Sequence, residues 1–372
     1  MHLELKPDFD ECYKRYEAFW SCAVLDRPPV CITLSKPEGR GDRATDRPPV
    51  DGGTPSDALE EHAMATLPPA IKREYPDHKS RWLDLPGRVE REVWALEHTE
   101  FLGDALPVAW PNLGPEIFSA WCGAGYRFGA TTTWSSPSVR DWDKDGPAAR
   151  FDEKHPLFLA TLQLTDMLIE AGKGRFIVGL TDFHPGGDHL AALRDPEQLA
   201  IDLIDRPEVI GPMLEQAKTD FFRAYEIFYR RIEAAGMPTT TWLPLVHFGR
   251  YYVPSNDFSA MISPAMFEEF FLDEIVEECR YLDRSIYHLD GPDAVRHLDL
   301  LLGIKELDAV QFVPGAGNVD LARWIPLHKK IQNAGKAQQI IGVTTENIDL
   351  LFESLRPEGI YLGSVGGVTD RE

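Results

Sequence analysis

From about residue 100 onward, short apolar runs alternate with longer stretches whose apolar residues recur at helical spacing. The short runs predict strands at 105–110, 176–180, 240–246, 285–288, 309–313, 339–343 and 359–362. Helices are predicted between them over 155–172, 195–205, 208–235, 263–283, 293–303, 320–334 and 346–355. Ser263-Pro264 and Asp195-Pro196 mark two of the starts, because proline suits the first helical position. Nearer the N-terminus, residues 8–22 predict an amphipathic helix with Tyr13, Tyr16, Phe19 and Trp20 on its apolar face. Arg27-Pro28-Pro29 breaks it, and residues 30–34 read as a buried strand. Residues 36–57 are rich in glycine, proline and charge and predict a long loop or flap.

Strand and helix in alternation predict a parallel sheet with crossover helices. With the early strand the count comes to about eight, the number of a closed (β/α)8 TIM barrel. The expected fold class is therefore α/β, as a single barrel domain over residues 1–372. An open doubly wound sheet is the runner-up, but no strand runs into a G-x-G-x-x-G or G-x-x-x-x-G-K-[ST] loop. The chain stops soon after the last strand, so the final barrel helix is expected to be missing. The N-terminal helix or a partner chain would then cover that face.

Composition narrows the function classes. Hydrophobic residues make up 43% and charged residues 26%, as in soluble globular proteins. A net charge of -22 excludes nucleic acid and an anionic membrane surface as partners, while a local arginine could still hold a small anionic substrate. The five cysteines, Cys12, Cys22, Cys31, Cys122 and Cys279, are scattered. They form no disulfide framework and no cysteine-only zinc site. Free thiols, no secretory signal and no membrane-length apolar run together predict a cytoplasmic protein.

Barrel chemistry gathers at the C-terminal ends of the strands. Thr181, Asp182, His184, Asp188 and His189 follow one predicted strand, and His247, Arg250, Tyr251, Tyr252, Asn256 and Asp257 follow the next. His288 and Asp290 end another, Gln311 and Asn318 lie near a fourth, and Trp110, Asn112 and Glu116 follow an early one. The pair His288 and Asp290, two apart on a strand, points to one side. Imidazole plus carboxylate suits zinc or another first-row divalent ion, with His247 or His184 completing the shell. The bland alternative is a polar rim in which aspartates cap turns. Arg250 is placed to bind a substrate carboxylate, and Asp257, Tyr252 or His247 to move protons. Asn256, Trp110, Asn112 and Gln311 are the further candidates for substrate contact.

The stretch from Ser255 to Asn318, with Ser263-Pro-x-x-Phe267-x-Glu269-Phe270 and a strand ending in His288-Leu-Asp290, resembles the uroporphyrinogen decarboxylase superfamily. The similarity covers roughly residues 240–365. It implies a (β/α)8 barrel and one of two activities. These are cofactor-free decarboxylation of a tetrapyrrole, or zinc-dependent methyl transfer involving corrinoid proteins. The decarboxylase motif Met-Arg-Gln-Ala-Gly-Arg-Tyr is not present in residues 25–43, which count against a tetrapyrrole. The methyltransferases carry His-x-Cys where this chain has His288-Leu-Asp290, and a cysteine near the last strand where it has Tyr361-Leu-Gly-Ser364. The resemblance carries over the histidine but not the thiolates, so any metal shell is richer in nitrogen and oxygen.

The leading expectation is thus a metal-assisted methyl (one-carbon) transfer or demethylation enzyme acting on a small molecule, with a corrinoid protein as partner. Zinc is the expected ion, and the oligomeric state stays open. The alternatives are a metal-free decarboxylase of a small carboxylate or tetrapyrrole and a non-catalytic ligand-binding barrel.

Overall fold

A computed structural model describes residues 1–36, 68, 71–315 and 317–369. The expected flap at 36–57 therefore lies, Lys36 apart, outside the described residues. The strands are β1 (Cys31–Ser35), β2 (Thr99–Gly103), β3 (Val108–Ala109), β4 (Gly125–Phe128), β5 (Thr133–Ser136), β6 (Ile177–Val178), β7 (Tyr251–Tyr252), β8 (Arg284–Asp290), β9 (Ala309–Val313), β10 (Ala337–Gln339) and β11 (Ile360–Tyr361). β7 to β11 form one parallel sheet in the order β11-β10-β9-β8-β7, and β3 pairs with β6, also in parallel. β4 and β5 form an antiparallel hairpin outside both.

Isolated backbone bonds connect these pieces. The Leu180 N–H donates to the Thr240 carbonyl at 2.8 Å, and the Cys31 N–H to the Leu362 carbonyl at 2.8 Å. No continuous ladder closes the strands into a ring among the described residues. What stands is a mixed α/β fold with parallel sheets flanked by many helices. Two expected strands behave differently from the pattern. Val30 alone bridges to Leu362 in parallel, while β1 turns away to pair antiparallel with β2. The 240–246 run forms no strand, and the residues flanking it, Thr239 and His247, make one antiparallel bridge. Pro244 supplies no ladder donor there, and pairing with β8 passes to Tyr251 and Tyr252.

Most helices appear where the periodicity puts them, among them Phe9–Trp20, Pro156–Gly172, Pro196–Asp205, Pro207–Ala234 and Leu321–Asn333. The 263–283 stretch divides into Pro264–Phe270 and Leu272–Tyr281. The 293–303 stretch breaks into short turns. Leu85–Glu97 and Gly186–Arg194 are helices that the pattern does not announce. In the second, Gly186 takes a φ of 72°, and a Cβ there would lie 2.6 Å from the Glu274 carboxylate. Glycine therefore starts this helix for reasons of space and backbone, although its usual signal is a break.

No helix follows β11 among the described residues. Its two faces are nonetheless covered. Tyr361 packs on Tyr16 and Phe19 of the N-terminal helix, with ring centroids 5.8 and 5.9 Å away. Ile360 and Leu362 point the other way, into a cluster with Leu321, Ile325, Leu351 and Leu355. No described helix is long and apolar enough to cross a membrane, and all five cysteines are free.

Candidate metal centre

Alternation along β8 decides which side chains share a face. Tyr287 and Leu289 enter a cluster with Phe271 and the helix residues Ile275 and Cys279. Ile286 enters a different cluster with Tyr251 and Tyr361, and His288 and Asp290 lie on its side of the strand. The register then builds layers across three strands. Ile286, Ala309 and Ala337 make an apolar layer. His288, Gln311 and Gln339 make a polar one two residues further on, about 6.6 Å along the strands. Within it the His288 Nδ1 lies 2.6 Å from Gln311 Oε1, and Gln311 Nε2 donates to Gln339 Oε1 at 2.7 Å. Gln311 is fully buried, so this polar layer is built into the interior. Trp242 stands edge-on to the His288 ring, 5.2 Å between centroids.

Asp257 arrives at the same level from another segment. The His288 N–H donates to the Pro254 carbonyl at 2.9 Å, which carries Ser255 alongside β8 and Asp257 just above it. Asp188, in the first turn of Gly186–Arg194, accepts the N–H groups of Asp257 at 3.0 Å and Phe258 at 2.8 Å. Ser255 Oγ donates to Asp257 Oδ1 at 3.2 Å. The outcome is a cluster of Asp257, His288 and Asp290 whose ligand atoms all lie within 4.8 Å of one another. Burial, and then the charge of Asp257, raise the Asp290 carboxyl above its ordinary range.

A chain of further acids leads away from Asp257 through Asp188 to the Leu272–Tyr281 helix. Burial and the Asp257 charge push Asp188 up to about 7. On the Leu272–Tyr281 helix, Glu274 and Glu278 are 7% and 1% exposed, and each keeps an oxygen without a protein partner. Burial and the charge of Asp188 push Glu274 up to about 8, and Glu278 is raised as well, by burial and Glu274. His184 Nε2 bonds Asp182 Oδ1 at 2.7 Å, and its Nδ1 is buried without a partner. Burial pulls His184 down, but Asp182, Asp188 and Asp257 outweigh it and hold its pKa above the ordinary value.

Other residues singled out by sequence lie elsewhere. His247 bridges to Thr239, and a Cβ on its neighbour Gly249 would lie 2.8 Å from both its Nε2 and the Asp283 carboxylate. Asp283 immediately precedes β8, so His247 belongs to that strand's start and His288 lies near its end. Four residues of strand, about 13 Å, separate Arg284 from His288. His247 thus does not join the shell, and His184, tied to Asp182, is not in the three-residue cluster either. Arg250 also sits at the start of β8, donating to Glu226 at 3.2 Å and lying over the rings of Tyr229 and Tyr281. The Tyr252 hydroxyl donates to the Thr181 carbonyl and accepts the Phe183 N–H, both at 2.8 Å, inside the aromatic core. Trp110 lines a cavity of about 210 Å³ with Arg81, Arg88, Arg91 and Glu92, and none of the three cluster residues lines it. Asn112 accepts the Gly114 N–H at 2.6 Å. Asn256 is 3% exposed, with both amide atoms unpartnered. His189 is a buried core residue bonded to Ser119 at 2.9 Å, and burial pulls its pKa down to about 3.

The sequence reading left Glu274, Glu278 and Gln339 unmentioned. Two acids four apart on a helix, among apolar neighbours, were the available signal. For Gln339 it was a polar residue at the edge of an apolar strand run.

No protein-family model matches this chain, and no curated protein matches it in sequence. In structure it is similar to a methyltransferase from Methanosarcina mazei, with a TM-score of 0.57 at 10% identity, covering 96% of this chain and 93% of that one. At that identity the likeness is one of fold: the chain has a methyltransferase-like fold.

Proposed function

We propose that this protein is a divalent-metal enzyme of methyl (one-carbon) transfer or demethylation acting on a small molecule. The observation that carries this reading is the convergence of Asp257, His288 and Asp290 at the end of β8. Two carboxylates and an imidazole fit zinc or another first-row divalent ion, and the shell is harder than a thiolate one. When bound, such an ion supplies Lewis acidity towards an oxygen or sulfur donor. The protein's own part is positional. Asp188 and Ser255 hold Asp257 in place, and Trp242 walls the imidazole. The methyltransferase-like fold agrees with this reading. A corrinoid protein is the proposed methyl-carrying partner, in the cytoplasm. Metal-free decarboxylation has less support, because Arg250 and Tyr252 are both committed to other contacts.

The test loads purified protein with zinc or manganese, removes the excess and counts metal by mass spectrometry. Stoichiometric metal is expected, and its loss in His288→Ala and Asp290→Asn. No retained divalent ion after reloading overturns the reading. With cob(I)alamin as acceptor and a set of methylated small molecules, methylcobalamin should form and a chelator should stop it. Carbon dioxide release that survives chelator would point to decarboxylation, and inactivity with every probe to a binding protein.

A further inference from the structure

The polar layer His288, Gln311 and Gln339 has a direction, and the direction fixes a proton. A glutamine amide has one accepting oxygen and one donating nitrogen. Gln311 spends its nitrogen on Gln339 Oε1 at 2.7 Å, which leaves its oxygen for His288 at 2.6 Å. An oxygen there requires a proton on His288 Nδ1. In the neutral ring Nε2 is then bare, which is the state a metal ligand needs. We infer that Gln311 and Gln339 are positioning residues that lock His288 in the Nδ1–H tautomer and so present Nε2 to the cation.

Several features support a built relay. The three residues are paired in register across β8, β9 and β10. Gln311 is fully buried and Gln339 is 8% exposed. The far end of the relay is closely bounded. A Cβ on Gly363 would lie 2.4 Å from Gln339 Nε2. Glycine at that position leaves room for the Gln339 amide to lie as it does. The hydrogen-bonded relay runs from Gln339 to the imidazole, and Gly363, which lies beside its far end, can be changed without touching any proposed ligand.

The consequence for metal rests on the centre proposed above, while the tautomer does not, so the two are measured apart. Nitrogen-15 labelling of histidine in metal-free protein, with His288 assigned by its alanine variant, reads the protonation of each ring nitrogen. The neutral His288 ring is expected to carry its proton on Nδ1. Zinc affinity is then measured by competition with a chelating dye. Gln311→Leu should release the tautomer and weaken zinc roughly 10–100-fold. Gln311→Glu offers only acceptors once ionised, so at a pH where its carboxyl is charged it should keep both the tautomer and the affinity. Gly363→Ala should displace the Gln339 amide and shift the tautomer without altering the shell, and it serves if Gln311→Leu does not fold. A proton found on Nε2 in the unmodified protein overturns the inference, as does a tautomer indifferent to both Gln311→Leu and Gly363→Ala. If the unmodified protein binds no zinc, the metal reading fails while the tautomer measurement still decides the relay.

Discussion

Asp257 and Asp290 come from separate segments, yet their carboxylates approach within 4.8 Å beside His288. Burial and the charge of Asp257 raise the Asp290 pKa, so the pair repels itself in the absence of a cation. Asp257→Asn should therefore leave the metal-free protein as stable as before at pH 7, or more stable by up to about 1 kcal/mol. The same variant should lose most of the thermal stabilisation that zinc gives the unmodified protein. That stabilisation should be about 2.7 kcal/mol at a ligand excess of roughly 100 Kd. Thermal melts with and without zinc check both halves. A large loss of stability in the metal-free variant would mean that Asp257 is a structural anchor.

Glu274 and Glu278 set a pH dependence of folding. In the unfolded chain Glu274 ionises at its ordinary 4.5, and in the folded protein it keeps its proton to about 8. Folded and unfolded states bind equally below the lower value. Between the two values the unfolded state loses the proton first, so stability falls as pH rises through that window and levels off above it. Glu274→Gln keeps the shape and cannot ionise. It should be more stable than the unmodified protein above about pH 8, by on the order of 1–3 kcal/mol, with little difference at pH 4.5. Urea unfolding across this range measures the divergence of the two curves.

Much of the fold was legible because helical and strand periodicities survive in one dimension. Long helices such as Pro207–Ala234 and fully buried strands such as Ala309–Val313 need no partner to be recognised. The segments that misled are ones where tertiary pairing decides. Thr240 to Val246 has strand composition, yet the ladder forms at Tyr251 and Tyr252. The site divides along the same line. His288 and Asp290 were visible as a pair because they share a strand end. Asp257 was visible only as a candidate acid or base, since its place beside them depends on Asp188, whose hydrogen bonds span 69 and 70 residues of chain. His247 looked equivalent to His288 because a one-dimensional reading assigned both to strand ends. The register shows that one lies where β8 begins and the other near where it finishes.

Asp188 should control the order of the Asp257 loop. It accepts two backbone N–H groups, at 3.0 and 2.8 Å, and a hydrogen bond contributes about 0.5–1.5 kcal/mol, more once the carboxyl is ionised. Asp188→Ala leaves both donors without that acceptor. Amide exchange at Asp257 and Phe258 should accelerate, and zinc affinity should fall although every ligand remains. Hydrogen exchange read by NMR at those two amides is the check. Unchanged protection would show that the Ser255 to His288 bridge holds the loop by itself.

Arg250 provides the control for geometry. Its guanidinium donates to Glu226 at 3.2 Å and lies 5.0 and 5.2 Å from the rings of Tyr229 and Tyr281, at the start of β8. The intervening strand, about 13 Å, exceeds the screening length of about 8 Å at physiological salt. Arg250→Gln should therefore leave zinc affinity within about twofold of the unmodified value. It removes a half-exposed ion pair and some ring packing, so the stability loss should stay near 1 kcal/mol. The same variant separates the two enzymatic readings. A methyl-transfer site at the far end of β8 is indifferent to it. A decarboxylase that holds its substrate through this guanidinium loses substrate affinity in Arg250→Gln and keeps its insensitivity to chelator.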